Sequence, residues 1–262
     1  MFQNLIFLTG LLNRILKRDG LKKLKPISLF VIMKNMNLAE AQLKKRISLN
    51  SNFQNIQVET FIKIIDKYIT NSNNRKVLEI GCSYGFWLNL LYLNYKFMLY
   101  GIDIDNFLAP SLTDKVKFIK ANGCNLPFKE NTFDMIYSID VIEHIKNDAL
   151  FLTENYRVLK KNGIAILGTP NKNRLSAIIK KLLFHPNKYP LKIKDKIFGY
   201  VTHIREYNLR DLIKIVKKTK FKILEILPIY LGFTDYFDKI YIAYPKSFFK
   251  YLAQFWFVVL KK

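Results

Sequence analysis

Two cysteines, Cys82 and Cys124, are all that the 262 residues contain. That is too few for a disulfide framework, and a reducing cytoplasm is the expected setting. Neither lies in a zinc or nucleophile motif, so both read as structural. Acidic residues are also scarce, with 20 Asp/Glu against 43 Lys/Arg and a formal net charge of +23. A surplus of that size favours an anionic partner. Long apolar runs are missing as well. Asn4–Leu12 leads into charges rather than a small-residue cleavage site, and Phe248–Leu260 is interrupted by Lys250. Neither reaches the roughly 20 residues that a membrane-crossing helix needs. Glycine is sparse, and G-x-G-x-x-G is absent. At "VLEIGCSYGFWL" (Val77–Leu88), Ser83 and Tyr84 fill the interval that such a loop would require.

What is present is unevenly placed. Residues 1–50 carry +8, residues 51–170 carry +1 and residues 171–262 carry +14. The nearly neutral middle is expected to hold the chemistry, and the basic flanks to meet the anionic partner.

The pattern of apolar residues divides the chain. Leu5, Leu8, Leu12 and Ile15 predict a basic amphipathic helix over 2–18, extended by Lys22, Lys23 and Lys25 up to Pro26. A second helix is predicted over 53–70. Strand-like runs follow at Lys76–Ile80, Phe97–Ile102, Val116–Lys120, Phe133–Ser138 and Ile164–Gly168. They alternate with helix-like runs at Tyr84–Asn94 and Asn147–Leu159. Such alternation predicts a doubly wound α/β domain with a mostly parallel sheet. Pro110 stunts any helix between Asp103 and Val116. Residues 171–206 read as an insertion with a basic helix near Leu175–Leu183. Asn208–Thr219 reads as a helix, followed by strands near Phe221–Leu227 and Lys239–Tyr244 that can pair antiparallel.

In a doubly wound sheet, ligands bind beyond the carboxyl ends of the strands. Gly81–Gly85 is the turn after the first strand, where glycines admit a close ligand and a helix amino end offers free N–H groups. Asp103 lies 22 positions beyond Gly81, at the end of the next strand. A carboxylate there can accept both hydroxyls of a ribose, which suits NAD and S-adenosylmethionine equally. Glu79 before the first glycine can meet an ammonium group.

With "VKFIKANGCNLPFKENTFDMIYSIDVIEHI" (Val116–Ile145) and "RVLKKNGIAILGTPN" (Arg157–Asn171) in register, the chain resembles the class I S-adenosylmethionine-dependent methyltransferases. The resemblance covers roughly residues 55–245. It is greatest to the branch with ubiquinone/menaquinone-type and glycan-modifying O-methyltransferases. The resemblance implies a Rossmann-like fold with a seven-stranded sheet, and S-adenosyl-L-methionine as cofactor. Glu79, Gly81, Cys82 and Gly85 would hold its methionine part, and Asp103 and Ile104 its ribose. Asn122 and Gly123 would bracket the adenine edge, and Leu126 would pack nearby. Asp140 to His144 would lie near the transferred methyl. Two positions depart from the pattern: Ser83 replaces a usual glycine and Asn122 a usual aspartate. His144 is the first candidate base, since imidazole titrates near neutral pH. His203 in "HIREYNLRDL" (His203–Leu212) is the second, and Arg205 is a candidate grip on an anionic acceptor. No metal is required. Asp140, Glu143 and His144 nevertheless form a D-x-x-E-H cluster, similar to one that ubiquinone-type relatives use for a divalent cation.

The division expected is a basic amino-terminal extension (1–50), a methyltransferase domain (51–245) and an aromatic, basic carboxyl-terminal helix (246–262). The two extensions are expected to be amphipathic helices that meet an anionic membrane from the cytoplasmic side. The acceptor would then be lipid-linked, quinone-like or a glycan. RNA is the alternative anionic partner, but "SIDVIEH" (Ser138–His144) lacks the Asn/Asp-Pro-Pro-aromatic turn usual in base-amino methyltransferases. A non-catalytic cofactor-binding or scaffold protein is the third reading.

Overall fold

The computed structural model describes residues 38–48, 51–69, 74–183, 188–195, 199–232 and 241–262. The predicted helix over 2–18 lies outside them. A helix that the sequence pattern did not reveal, α1 (Leu38–Ser48), precedes the domain. Helix α2 (Asn52–Tyr68) follows, with Ser51 as its cap: the Ser51 Oγ accepts from the Gln54 N–H at 3.1 Å.

The alternation then appears as expected: β1 (Lys76–Ile80), α3 (Phe86–Asn94), β2 (Met98–Asp103), β3 (Val116–Lys120), β4 (Phe133–Ile139), α4 (Asp148–Val158) and β5 (Leu159–Pro170). Only a single 3-10 turn, Pro110–Leu112, bridges β2 and β3. The insertion contains α5 (Leu175–Leu183) and an unforeseen hairpin of β6 (Leu191–Asp195) and β7 (Gly199–His203). Helix α6 (Leu209–Lys217) and β8 (Lys222–Ile229) come next.

Two expectations for the carboxyl-terminal part need correction. The strand near Lys239–Tyr244 is only β10 (Tyr241–Ile242), which pairs with β9 (Leu231–Gly232) outside the main sheet; residues 239–240 lie outside the described residues. The expected helix over 246–262 is a 3-10 turn, Ser247–Leu252, and then β11 (Phe255–Lys261). The run "FWFVVL" is buried on both faces. That pattern suits a central strand, and β-branched and aromatic residues fit the pleat better than a helix. Strand β11 therefore completes the domain rather than extending it.

The sheet has seven strands in the order β3-β2-β1-β4-β5-β11-β8. The first five run parallel, and β11 is antiparallel to both its neighbours. The order reverses between β1 and β4, which makes their carboxyl ends the switch point where a ligand fits. Both faces are covered. On one, Phe61, Ile64 and Ile65 of α2 and Trp87 and Leu91 of α3 pack over Val77, Met135 and Tyr137. On the other, Phe151 and Leu152 of α4 and Leu212 and Val216 of α6 pack over Leu78, Ile80 and Ile136.

Candidate active site

The site begins where β1 ends. Gly81 and Gly85 have φ of +77° and +85°, the left-handed region that glycine adopts without penalty. A Cβ on Gly81 would lie 2.5 Å from Val141 Cγ2, and one on Gly85 would lie 2.5 Å from Leu112 Cδ1. A side chain at either glycine would therefore strain the backbone and displace its neighbour. Side chains of Ser51, Asn147 and Asn208 cap α2, α4 and α6, but α3 has no side-chain cap. In its first turn the Leu88 N–H is turned to the Glu79 carboxyl. Ser83 also has a positive φ, +48°, which gives a reason for a glycine to be usual there. Its Oγ is buried without a hydrogen-bond partner.

Glu79 is buried and faces Tyr137, whose hydroxyl donates to Glu79 Oε2 at 3.1 Å. Burial pushes its carboxyl well above the ordinary range, only partly opposed by the Tyr137 hydrogen bond. Among the described residues it has no ion pair, so an arriving ammonium group would find a carboxylate that needs one. Asp103 accepts from the Ser83 N–H at 2.8 Å and from the Ile104 N–H at 2.7 Å. Two bonds leave lone pairs on both oxygens for a ribose diol. Ile104 itself is 71% exposed beside it. Asn122 is exposed, and its side-chain oxygen accepts from the Cys124 N–H at 2.8 Å. That fixes the turn in which Gly123 packs against Phe151 and Ile80. Leu126 is buried behind it. Cys82 is buried, and burial raises both cysteine thiols, so neither is a ready nucleophile.

The loop after β4 supplies the other wall. His144 and His203 lie edge to face, with ring centroids 4.8 Å apart. His144 Nδ1 is 2.8 Å from the Thr202 carbonyl, which can only accept, so Nδ1 carries the proton and Nε2 a lone pair. Burial lowers the His144 pKa, against that hydrogen bond. His203 Nδ1 is 3.0 Å from Glu206 Oε1, and Glu206 Oε2 accepts from Tyr189 and pairs with Arg174. Sequence reasoning missed Glu206, Arg174 and Tyr189; the H-x-x-E spacing of His203 and Glu206 was the available signal. Arg205 reaches neither histidine: it binds Asp148 Oδ2 at 2.7 Å and the Lys146 carbonyl at 2.8 Å. This clamps the segment after β7 to the start of α4.

The cation-binding pattern is rearranged. Glu143, His144 and His203 bring potential ligand atoms within 4.8 Å of one another, and the exposed Asp140 does not join them. Glu143 is fully buried, with Thr169 Oγ1 on Oε2 at 3.0 Å and no partner on Oε1. Two imidazoles and a carboxylate are donors that suit a divalent cation, though with His203 in the place expected for Asp140.

An α/β domain with a glycine turn, a buried carboxylate before it and a second carboxylate after the next strand has the groups that a nucleoside-bearing cofactor would need. Residues 78–167 match the family described as a methyltransferase domain. An uncharacterized protein of Methanocaldococcus jannaschii is 36% identical over 57% of this chain and 64% of its own. A probable S-adenosylmethionine-dependent methyltransferase of Mycolicibacterium smegmatis is 26% identical over 60% of this chain and 56% of its own. The chain thus spans less than two thirds of the length of these relatives. Among solved structures, a protein of Methanosarcina mazei described as a SAM-dependent methyltransferase superposes with a TM-score of 0.55. It covers 76% of this chain and 96% of its own at 19% identity, a likeness of fold. Residues 78–167 are thus similar to a methyltransferase domain, and S-adenosylmethionine is the cofactor of that family.

Proposed function

We propose that the protein transfers a methyl group from S-adenosylmethionine to a hydroxyl oxygen of a lipid-linked, quinone-like or glycan acceptor at a membrane surface. The carrying observation is that Glu79 and Asp103, poised for the cofactor, share one sheet edge with two histidines that have carbonyl and carboxylate partners. The sulfonium supplies an already activated methyl group. The chain's own work is to hold, align and deprotonate. Glu79 receives the ammonium group, Asp103 the ribose, and the Asn122–Leu126 turn the adenine. The acceptor oxygen forms its bond to the methyl carbon as the sulfur–methyl bond breaks. The hydroxyl proton passes to Nε2 of His144, or of His203 beside it. Neutral S-adenosylhomocysteine and a methyl ether leave.

Mass spectrometry of lipid and glycan extracts, made with and without the protein and S-adenosylmethionine, tests this. A mass gain of one methylene in a hydroxyl-bearing lipid or glycan is expected. Methylated RNA with unchanged extracts would overturn it.

A further inference from the structure

The 3-10 turn Ser247–Leu252 exposes Phe248 by 68% and Phe249 by 54%. Scattered exposed apolar residues are ordinary, but these form a group. The Phe248 ring lies 6.4 Å from Phe249 and 6.5 Å from Tyr251. Ile242 and Tyr244, on and beside β10, are exposed as well, and Leu182 on α5 is a 78% exposed aliphatic side chain.

Among the described residues the charge around it is mainly positive. Residues 241–262 contain no Asp or Glu. Lys246 and Lys181 are exposed, and Lys250 Nζ sits 5.1 Å from the centre of the Tyr251 ring. Glu59 approaches, but Lys63 neutralises it at 2.6 Å and itself lies over the Tyr244 ring. Aromatic and aliphatic side chains in a lysine rim match the headgroup zone of an anionic bilayer: apolar groups enter, and ammonium groups meet phosphates. Ile242 and Leu182 add exposed aliphatic surface, which suits acyl chains better than base stacking.

Its place in the fold ties it to the site. Pro170, at the carboxyl end of β5, pairs with Phe255 at the start of β11. The turn before β11 therefore lies at the same sheet edge as Gly81–Gly85 and the loop of His144. Asn171 locks it there, donating from Nδ2 to the Tyr251 and Ala253 carbonyls at 2.8 Å each. Asn171 also bridges Tyr207, a few residues beyond His203.

We propose that this patch docks the acceptor edge of the protein onto an anionic lipid bilayer, so that a membrane-held hydroxyl reaches the methyl donor without leaving the lipid. Its purpose rests on the acceptor reading above, but its test does not. The full chain is sedimented with vesicles of phosphatidylcholine, alone and mixed with phosphatidylglycerol. The protein pellets with the mixed vesicles and is released by salt. Phe248→Ser combined with Phe249→Ser weakens binding about tenfold or more, as does Lys246→Glu combined with Lys250→Glu. Phe248, Phe249 and Lys246 are exposed and Lys250 is half-buried, and an unchanged thermal shift with S-adenosylhomocysteine verifies that the variants fold. The proposal is overturned if the wild type stays in solution. It is also overturned if both variants pellet like the wild type, as when residues 1–26 do the binding, or if the chain takes up RNA but not vesicles. Failure of the thermal shift in the wild type would count against the cofactor reading alone.

Discussion

Tyr137 donates its hydroxyl to Glu79 across 3.1 Å, from the position directly opposite on the neighbouring parallel strand. Both side chains are buried, and burial raises the Glu79 carboxyl well above its ordinary value. A raised carboxyl favours folding fully below about pH 4.3, and that contribution is lost as pH rises through the folded value. An ammonium group reverses this by pairing with the ionised form. The stabilisation by S-adenosylhomocysteine should therefore grow with pH until Glu79 is ionised in the free protein. Thermal shifts across a pH series test this. Glu79→Gln should flatten the dependence and weaken binding by about 10²-fold, the loss of one charge-assisted contact of roughly 3 kcal/mol.

The turn gives opposite predictions at neighbouring residues. Gly81→Ala places a Cβ 2.5 Å from Val141 in a backbone with φ of +77°. It should destabilise by about 2–4 kcal/mol, from left-handed strain and overpacking together. Ser83→Gly should stabilise by about 1 kcal/mol, because it relieves φ of +48° and removes a buried unpartnered hydroxyl. Urea titration measures both. A Ser83→Gly protein that is more stable but binds S-adenosylhomocysteine less well would show that Oγ serves the cofactor.

His144 is held neutral by burial, outweighing the Thr202 hydrogen bond. If it is the base, kcat/KM should rise with pH to a plateau that begins below about 6.5, its unperturbed value. The contribution of His144 to stability has the same direction: present above about 6.5, and lost as pH falls through the lowered folded value. His144→Ala should cost about 10²-fold or more in kcat. His203→Ala should cost less if His203 only positions its neighbour, and as much if it accepts the proton. Activity close to normal in both variants would remove the base from the mechanism.

Glu206 gathers the insertion around His203. Burial alone would raise its carboxyl, but the His203 hydrogen bond, the charge and hydrogen bond of Arg174 and the Tyr189 hydroxyl outweigh it, to about 2. That stability is present above the unfolded value of about 4.3 and is lost as pH falls toward 2. Glu206→Gln should cost about 2–4 kcal/mol by urea titration, since Arg174 loses its charged partner in a largely buried place. The pH profile of methyl transfer should also shift, because the carboxylate that fixes the His203 tautomer is gone.

The parallel half of the fold was legible because strands buried on both faces read as short apolar runs, and glycine and asparagine mark the turns. Gly81, Gly85, Asp103 and Glu79 could be placed because local spacing fixes them relative to β1 and β2. What escaped depends on distance in sequence. Glu206 meets Arg174 and Tyr189 through the folding of an insertion without a clear period, and His203, 59 residues beyond His144, joins Glu143 and His144 where Asp140 was expected. The "FWFVVL" run is too short and uniform to choose between helix and strand. Only its partners, β5 and β8, decide it.

That correction gives the last prediction. Strand β11 lies between β5 and β8, with Phe255 to Leu260 buried. Truncation at 254 should therefore yield insoluble or unfolded protein, leaving two strand edges unpaired and a core open. Point variants make the claim measurable in soluble protein. Trp256 is 1% exposed, and its Nε1 lacks a hydrogen-bond partner. Trp256→Ala should cost about 3–5 kcal/mol, from lost burial and the cavity left behind. Trp256→Phe should cost much less, because it keeps the ring and deletes the unsatisfied N–H. Urea midpoints of the two variants against wild type separate a packed central strand from a surface helix, for which both changes would fall within about 0.5 kcal/mol.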